Sequence, residues 1–278
     1  MSQLPYIVSC EWLANQLSNP QVVIIDCRFR LGQPDWGEQS YQVAHIPGAY
    51  HLNLDRDLSS EVTTHGGRHP LPDVSLFTEK LEKMGIILGE TLVIAYDDLR
   101  FAFAARLWWL LRYFGHEKVA LLDGGWTAWQ KQGYPVTNQT TAPGLGNFSP
   151  MLHSDWVVDI EDVKSTKDLP SVVLIDSRDS DRYRGEREPI DPIAGHIPGA
   201  INSPWKQVTN SEGYLLPLEK LQALWQDRNE TEEIIVYCGS GVTACVNLFS
   251  LVLLGFPTAK LYPGGWSDWC SYLNVKIL

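Results

Sequence analysis

The chain of 278 residues carries the same series of motifs twice, and this internal repeat limits its possible folds more than any other feature. Four blocks recur in the same order. The pairs are VVIIDCR (22–28) with VVLIDSR (172–178), AHIPGA (44–49) with GHIPGA (195–200), LVIAYD (92–97) with IIVYC (234–238), and DGGWTAW (123–129) with PGGWSDW (263–269). Ordered repetition of this kind predicts two copies of one domain. We expect an N-terminal domain at 1–137, a Gly-, Pro- and Thr-rich linker at 138–150 and a C-terminal domain at 151–278.

Each copy alternates short apolar runs with stretches of helical length. The runs are β-branched and continuous, which is typical of strands that are buried on both faces of a parallel sheet. The helical stretches are 75–84, 101–114, 218–227 and 242–254, and Gly85, Gly115 and Gly255 stand where C-terminal caps are expected. The sequence therefore predicts an α/β fold with two tandem domains, each a parallel β-sheet flanked by helices on both faces.

Composition and charge exclude several classes of protein. The formal net charge of −11 opposes binding to phosphate backbones, so we expect no nucleic-acid partner. The longest apolar stretches are shorter than the ~20 residues of a membrane span, which predicts no membrane insertion. The N-terminal sequence MSQLPYIVSCEWL lacks the features of an export signal, and the five cysteines lack zinc-like spacing. We expect a cytoplasmic protein with free thiols and with neither a metal nor an organic cofactor.

The repeat also separates structural motifs from functional ones, because features that both copies keep are more often structural. The HIPGA turns occur in both copies, so we assign structural roles to His45 and His196. The Gly-Gly-Trp blocks are also shared. We therefore place their tryptophans in the core, at Trp126, Trp129, Trp266 and Trp269.

The two copies differ most after one of the buried strands. The first copy has Asp97 at this point, whereas the second has Cys238, followed by GSGVT and a helix. A short loop before a helix can direct several backbone N–H groups at one point, and such a site favours a thiolate. We expect Cys238 to be a nucleophile, with an anion cradle formed by the amides of Gly239, Gly241, Val242 and Thr243. Only the C-terminal domain should be catalytic.

Two reactions suit a thiolate in a ring of amides: attack on phosphorus and attack on sulfur. Cysteine phosphatases need an arginine six positions after the cysteine, but Ala244 stands there. Sulfur transfer needs only a thiolate that accepts a sulfane sulfur and loop amides that stabilise the persulfide charge. The loop therefore predicts sulfur transfer.

The HIPGA turns, the YCGSGVTAC loop and the PGGW block, in tandem copies, together resemble the two-domain rhodanese-type sulfurtransferases. The resemblance implies an inactive N-terminal domain and a persulfide-forming Cys238. Within the family, CGSGVTAC is similar to the loop of 3-mercaptopyruvate sulfurtransferases. It implies that Ser240 acts with His69 and Asp55 in a Ser-His-Asp relay.

The resemblance also implies that arginines bind a small anionic sulfur donor. Arg182 matches the substrate arginine of the family, and Arg68 matches a further anion contact of some members. The mercaptopyruvate enzymes carry a second arginine after Glu-Pro, whereas this chain has Ile190 there. Arg187 is the candidate to replace it.

Two alternatives stay open. The first is a thiosulfate:cyanide sulfurtransferase that uses the same residues, and the second is a non-catalytic rhodanese module for binding or sulfur relay. The acceptor could be a thiol, a thioredoxin-like protein or cyanide. Cys10, Cys27 and Cys270 carry no motif, and we expect Cys245, seven residues after Cys238, to be a core residue.

Overall fold

A computed structural model describes residues 6–228 and 232–273, so the predicted domain ends at 1 and 278 lie outside the described residues. The chain divides into two compact units. Unit 1 comprises the described residues of Met1–Ser60, Pro72–His153 and Thr209–Leu215, and unit 2 those of Glu61–Leu71, Ser154–Val208 and Leu216–Leu278. Each unit thus contains one short segment from the opposite half of the sequence. The repeat does not predict this exchange, and the boundaries at 137 and 151 stay a prediction.

Unit 1 contains a sheet of five parallel strands in the order β1-β5-β4-β2-β3. The strands are β1 (Ile7–Val8), β2 (Val22–Asp26), β3 (Ala49–His51), β4 (Leu92–Tyr96) and β5 (Val119–Leu122). The helices are α1 (Cys10–Ala14), α2 (Trp36–Val43), α3 (Val74–Lys83), α4 (Ala104–Tyr113) and α5 (Gly125–Lys131). Because all strands run in one direction, the loops after them meet at one edge of the sheet.

Unit 2 repeats this plan with four parallel strands in the order β7-β6-β8-β9. The strands are β6 (Val172–Asp176), β7 (Ile201–Asn202), β8 (Glu233–Tyr237) and β9 (Lys260–Leu261). The helices are α6 (Ile160–Thr166), α7 (Ser180–Tyr183), α8 (Leu218–Leu224), α9 (Ala244–Leu253) and α10 (Gly265–Ser271), with short 3-10 helices at Ser154–Trp156 and Trp205–Val208.

Both faces of the central strands are covered, as their continuous apolar sequences predict. Ile94 and Tyr96 of β4 pack in one cluster with residues of α1, α2 and α5. Val93 and Ala95 are also fully buried, and the alternation of side chains along a strand points them to the other face. Helix α4 packs against β4 and β5 and shares no residue with that cluster, so it covers this second face. The predicted α/β fold is confirmed.

The predicted local elements are also confirmed, with one informative shift. All four helical stretches form helices, and Gly85, Gly115 and Gly255 follow three of them with φ angles of 78°, 89° and 91°. Helix α4 begins at Ala104 rather than at residue 101, because the preceding residues wrap around a buried side chain described below. Within the described ranges, no helix has the length and apolar character needed to cross a bilayer.

The motifs that both copies share have structural roles, as predicted. His45 and His196 each stack on a tyrosine ring and contact the backbone carbonyl oxygen of that same tyrosine, Tyr41 in unit 1 and Tyr183 in unit 2. The tryptophans of the Gly-Gly-Trp blocks are buried in the two cores: Trp126, Trp129, Trp266 and Trp269.

Candidate functional site

The loop after β8 carries Cys238, whose residue surface is only 3% exposed. Five residues separate this cysteine from the first turn of α9, which begins at Ala244. The loop therefore presents the thiol at the carboxyl edge of a parallel sheet and directly before a helix N-terminus. This is the arrangement that the sequence predicts for a nucleophile.

The PGGW block holds this loop from the other side. The backbone N–H of Trp266 donates to the Cys238 carbonyl oxygen at 2.8 Å, and that of Ser267 donates to the Gly239 carbonyl oxygen at 2.9 Å. Gly265 has a φ of 58°, and a Cβ atom there would lie 2.6 Å from the Cys238 oxygen. Only glycine combines this backbone conformation with such a close approach. The second glycine of the motif therefore fixes the position of Cys238, the predicted nucleophile.

Unit 1 builds the same turn around Asp97. The N–H of Trp126 donates to the Asp97 carbonyl oxygen at 2.9 Å, and a Cβ atom on Gly125 would lie 2.2 Å from that oxygen. The Asp97 carboxylate accepts hydrogen bonds from four backbone N–H groups of its own loop, those of Leu99, Phe101, Phe103 and Ala104, at 2.8 to 3.1 Å. In this fold the loop amides can thus surround an anion, although burial raises the pKa of Asp97 to about 6.

Two predicted members of the relay lie together in unit 2. His69 and Ser240 are both buried, and Nδ1 of His69 lies 2.7 Å from Oγ of Ser240. His69 belongs to the segment Glu61–Leu71, which α10 holds in place. The N–H of Gly66 donates to the Asp268 carboxylate at 2.7 Å, and the N–H of Arg68 donates to Oγ of Ser267 at 3.2 Å.

The third predicted member, Asp55, belongs to unit 1. Its backbone N–H donates to the side-chain oxygen of Asn53 at 2.9 Å, in the turn after β3. Its part in a relay with His69 and Ser240 stays a prediction.

Two of the three predicted donor-binding arginines flank residues 238–243, which we call the nucleophile loop after the predicted role of Cys238. A Cβ atom on Gly239 would lie 2.8 Å from Nη2 of Arg68 and 3.7 Å from Nη1 and Nη2 of Arg182. Burial lowers the pKa of Arg68 below its ordinary value, but a guanidinium group keeps its charge in proteins. The residue directly after Cys238 therefore lies against two cations, even though the loop itself contains none.

Arg187 lies elsewhere. Its side chain is 51% exposed and pairs with Asp181 at 2.6 Å, in an ion pair on the surface of unit 2. Ile190, at the position where the resemblance predicts an arginine, is also exposed. Neither position 187 nor position 190 therefore places a further cation beside Arg68 and Arg182.

Sequence reasoning missed two buried carboxylates, Glu188 and Asp191. Glu188 accepts hydrogen bonds from Arg178 at 3.2 Å and from Arg182 at 2.6 Å. Asp191 pairs with Arg182 at 3.2 Å and also with Arg68. The available signal was the pair of acids within a stretch crowded with arginines, since buried cations need partners. Which arginine meets which acid depends on the folded loop.

The other cysteines are core residues. All five cysteines are free and buried. Cys245 is fully buried, as predicted, with its sulfur 3.4 Å from the Gly241 carbonyl oxygen. Burial raises the pKa of Cys10 to about 11 and also raises the pKa values of Cys27 and Cys270, which keeps these thiols protonated and unreactive. Among the described residues, no group of three or more His, Cys, Asp or Glu side chains could hold a metal ion.

Comparison with known proteins gives consistent results. The rhodanese-like domain family matches residues 9–132 and again residues 159–272. A probable 3-mercaptopyruvate sulfurtransferase of Pseudomonas aeruginosa is 43% identical, with 95% of each chain covered. A putative thiosulfate sulfurtransferase of Mycobacterium tuberculosis is 38% identical, over 90% of this chain and 88% of that one. The crystal structure of the Escherichia coli 3-mercaptopyruvate sulfotransferase superposes with a TM-score of 0.83 at 35% identity and covers 95% of this chain and 99% of that one.

Proposed function

Because the chain belongs to the tandem-domain rhodanese family of sulfurtransferases, we propose that it moves a sulfane sulfur from 3-mercaptopyruvate to a thiol or cyanide acceptor through a persulfide on Cys238. The observation that carries this proposal is the surroundings of that cysteine, which combine a helix N-terminus, two adjacent arginines and a buried His-Ser pair. In our proposal the N-terminal domain at 1–137 is inactive, residues 138–150 are the linker, and the domain at 151–278 is catalytic.

The inactive domain is inferred from Asp97. A carboxylate cannot form a persulfide, and here it also takes up four amides of the loop that corresponds to the catalytic loop. In the loop after Cys238, the amides of Gly239, Gly241, Val242 and Thr243 form the proposed cradle for the negative charge of the outer sulfur.

In the first half-reaction the Cys238 thiolate attacks the sulfur of the donor. A sulfur–sulfur bond forms and the carbon–sulfur bond breaks, with its electron pair going to the carbon as the enolate of pyruvate. The proton of the donor thiol moves to Ser240 and His69 and then to the enolate carbon, which gives pyruvate and leaves the persulfide anion. The 2.7 Å contact between Ser240 and His69 supports this role, and Asp55 is the proposed partner that orients the imidazole.

The second half-reaction returns the enzyme to its thiolate. A nucleophilic acceptor attacks the outer sulfur and the bond to Cys238 breaks. Cyanide leaves as thiocyanate, whereas a small thiol or a thioredoxin-like protein leaves as its persulfide. No electrons enter or leave from outside, so the cycle needs no redox cofactor.

Arg68 and Arg182 are the proposed contacts for the donor carboxylate, because both guanidinium groups lie against Gly239. Arg187 is a further candidate, but its exposed ion pair with Asp181 gives this role no support.

Thiosulfate is the second candidate donor. It is favoured by the similarity of the chain to the putative thiosulfate sulfurtransferase of Mycobacterium tuberculosis. A loop without cationic side chains favours the monocarboxylate over this dianion.

Intact-mass spectrometry after incubation with each donor tests the proposal. We expect the wild type to gain the mass of one sulfur atom with 3-mercaptopyruvate, and we expect Cys238→Ser to gain none. Cys10→Ser is the matched control and should keep the adduct, since its thiol is buried in unit 1. A wild type without any adduct would favour the non-catalytic module, and an adduct with thiosulfate alone would favour the second donor.

We also propose that the protein acts in the cytoplasm. The support is the five free cysteines, because cysteines usually form disulfides in secretory compartments and stay reduced in the cytoplasm. Cell fractionation with an antibody to the chain tests this assignment, and recovery from an oxidising compartment would contradict it.

A further inference from the structure

The resemblance predicts a second donor-binding arginine at position 190, where this chain has isoleucine. The next residue, Asp191, directs its side chain to Arg68 and Arg182. This side chain is only 3% exposed. One carboxylate oxygen contacts Nη1 of Arg68, and the other lies 3.2 Å from Nη2 of Arg182. The loop that lacks the expected cation thus supplies an anion to the same site.

Each arginine divides its nitrogens between a carboxylate and the nucleophile loop. Arg68 uses Nη1 for Asp191, while its Nη2 is the atom nearest to Gly239. Arg182 directs Nε and Nη2 to Glu188, and its Nη1 and Nη2 both lie 3.7 Å from a Cβ atom built on Gly239. The nitrogens near Gly239 can bind a donor while the carboxylates stay in place. Asp191 therefore acts on the donor mainly through its charge and through the position of Arg68.

The buried charges of this cluster balance. Three arginines, Arg68, Arg178 and Arg182, meet three carboxylates, Asp176, Glu188 and Asp191. Such compensation is what burial requires, because an unpaired buried charge is strongly destabilising. Because the charges balance, the site offers two guanidinium groups for hydrogen bonding but has no net positive charge to attract a donor of high negative charge.

We infer that Asp191 is a specificity-determining residue, which sets the donor site to prefer a monoanion over a dianion. The inference rests on the proposed function and adds to it the charge class of the donor. The energy between Asp191 and a bound anion grows in proportion to the charge of that anion. The energy between Arg68 and a bound anion scales with charge in the same way, so a displacement of Arg68 would weaken binding of the dianion more than binding of the monoanion. Loss of the Asp191 charge therefore shifts the ratio of the two affinities toward the dianion, whereas loss of positioning alone shifts it toward the monoanion.

The experiment measures the dissociation constants of two unreactive anions, pyruvate as the monoanion and sulfate as the dianion. Each protects Cys238 of the full chain from alkylation by iodoacetamide, a neutral reagent, so turnover is not needed. Asp191→Asn removes the charge and Asp191→Glu keeps it. Glu186→Gln is the matched control, because Glu186 lies on the same loop in an exposed pair with Arg184.

We expect Asp191→Asn to shift the affinity ratio toward sulfate by about tenfold at low salt, and we expect the shift to shrink at high ionic strength. Asp191→Glu and Glu186→Gln should keep the wild-type ratio. An unchanged ratio in Asp191→Asn, or a shift toward pyruvate, would overturn the inference, because the charge of Asp191 would then not select against the dianion. A lack of protection by either anion in every variant would overturn it as well.

A second variant keeps the test valid if Asp191→Asn does not fold, which near-ultraviolet circular dichroism will show. Ile190→Arg adds a positive charge at the neighbouring exposed position and should shift the ratio in the same direction. An unchanged ratio in this variant would also count against the inference. Failure of the wild type to form a persulfide would refute the proposed function but would leave these anion affinities interpretable.

Discussion

Replacement of Gly265 by alanine should displace the nucleophile loop, although Gly265 itself lies outside that loop. Two effects each lower the free energy of unfolding. A non-glycine residue at a φ of 58° costs about 1–3 kcal/mol. The new Cβ atom would also lie 2.6 Å from the Cys238 carbonyl oxygen, and relief of such a collision in a packed site costs a further ~1–3 kcal/mol. We expect a total loss of about 2–6 kcal/mol in the free energy of unfolding.

The activity should fall as well, because the carbonyl that must move belongs to Cys238, the proposed nucleophile. A displacement of about 1 Å at a reacting group costs on the order of 100-fold in rate. We expect the rate of persulfide formation on Cys238 to decrease by about this factor, as measured by quenched-flow mass spectrometry. Stability is measured separately by urea unfolding.

Two further glycines separate the causes. Gly255 has a φ of 91° and no atom within 4 Å of a new Cβ atom. Gly255→Ala should therefore lower the free energy of unfolding through the backbone conformation alone and leave the rate of persulfide formation unchanged. Gly125→Ala causes the matching collision with the Asp97 oxygen in unit 1, so it should destabilise the protein without moving Cys238. The reasoning is refuted if Gly265→Ala matches Gly255→Ala in stability and stays within threefold of the wild-type rate.

Substitutions at the candidate site and a pH measurement on Asp97 test the remaining assignments. His69→Gln and Ser240→Ala should each lower kcat/KM for 3-mercaptopyruvate by about 10²–10⁴-fold. The loss of kcat/KM with thiosulfate should be much smaller, because thiosulfate brings no proton. Equal losses with both donors would contradict the relay. Arg182→Lys should raise KM for 3-mercaptopyruvate about tenfold in steady-state assays, since lysine lacks the guanidinium fork, whereas Arg184→Lys on the exposed surface should not. Burial raises the pKa of Asp97 to about 6, so the folded state favours its protonated form and this residue's contribution to stability decreases as the pH rises through 6. In urea unfolding, the free energy of unfolding should therefore be about 1.4 kcal/mol lower at pH 7.5 than at pH 5, and Asp97→Asn should not show this decrease. The same pH dependence in both proteins would contradict this prediction.

The sequence by itself determined the fold class and singled out Cys238 as the candidate nucleophile. Repetition of four motifs requires two copies of one domain, and continuous apolar runs between helical stretches require parallel sheets covered on both faces. The difference between Asp97 and Cys238 also needs no structure, because a carboxylate and a thiol differ in chemistry wherever they lie. Signals of this kind are local, since they depend on residue type and on spacing along the chain.

Only the tertiary structure decided which charged groups meet. Arg68, Arg182 and Arg187 look alike in the sequence, yet two of them lie against Gly239 and the third lies in an exposed ion pair. Asp191 has no motif at all, and its role depends on the path of an irregular loop. Contacts between residues distant in sequence are set by how segments pack, because charge acts through distance in space rather than along the chain.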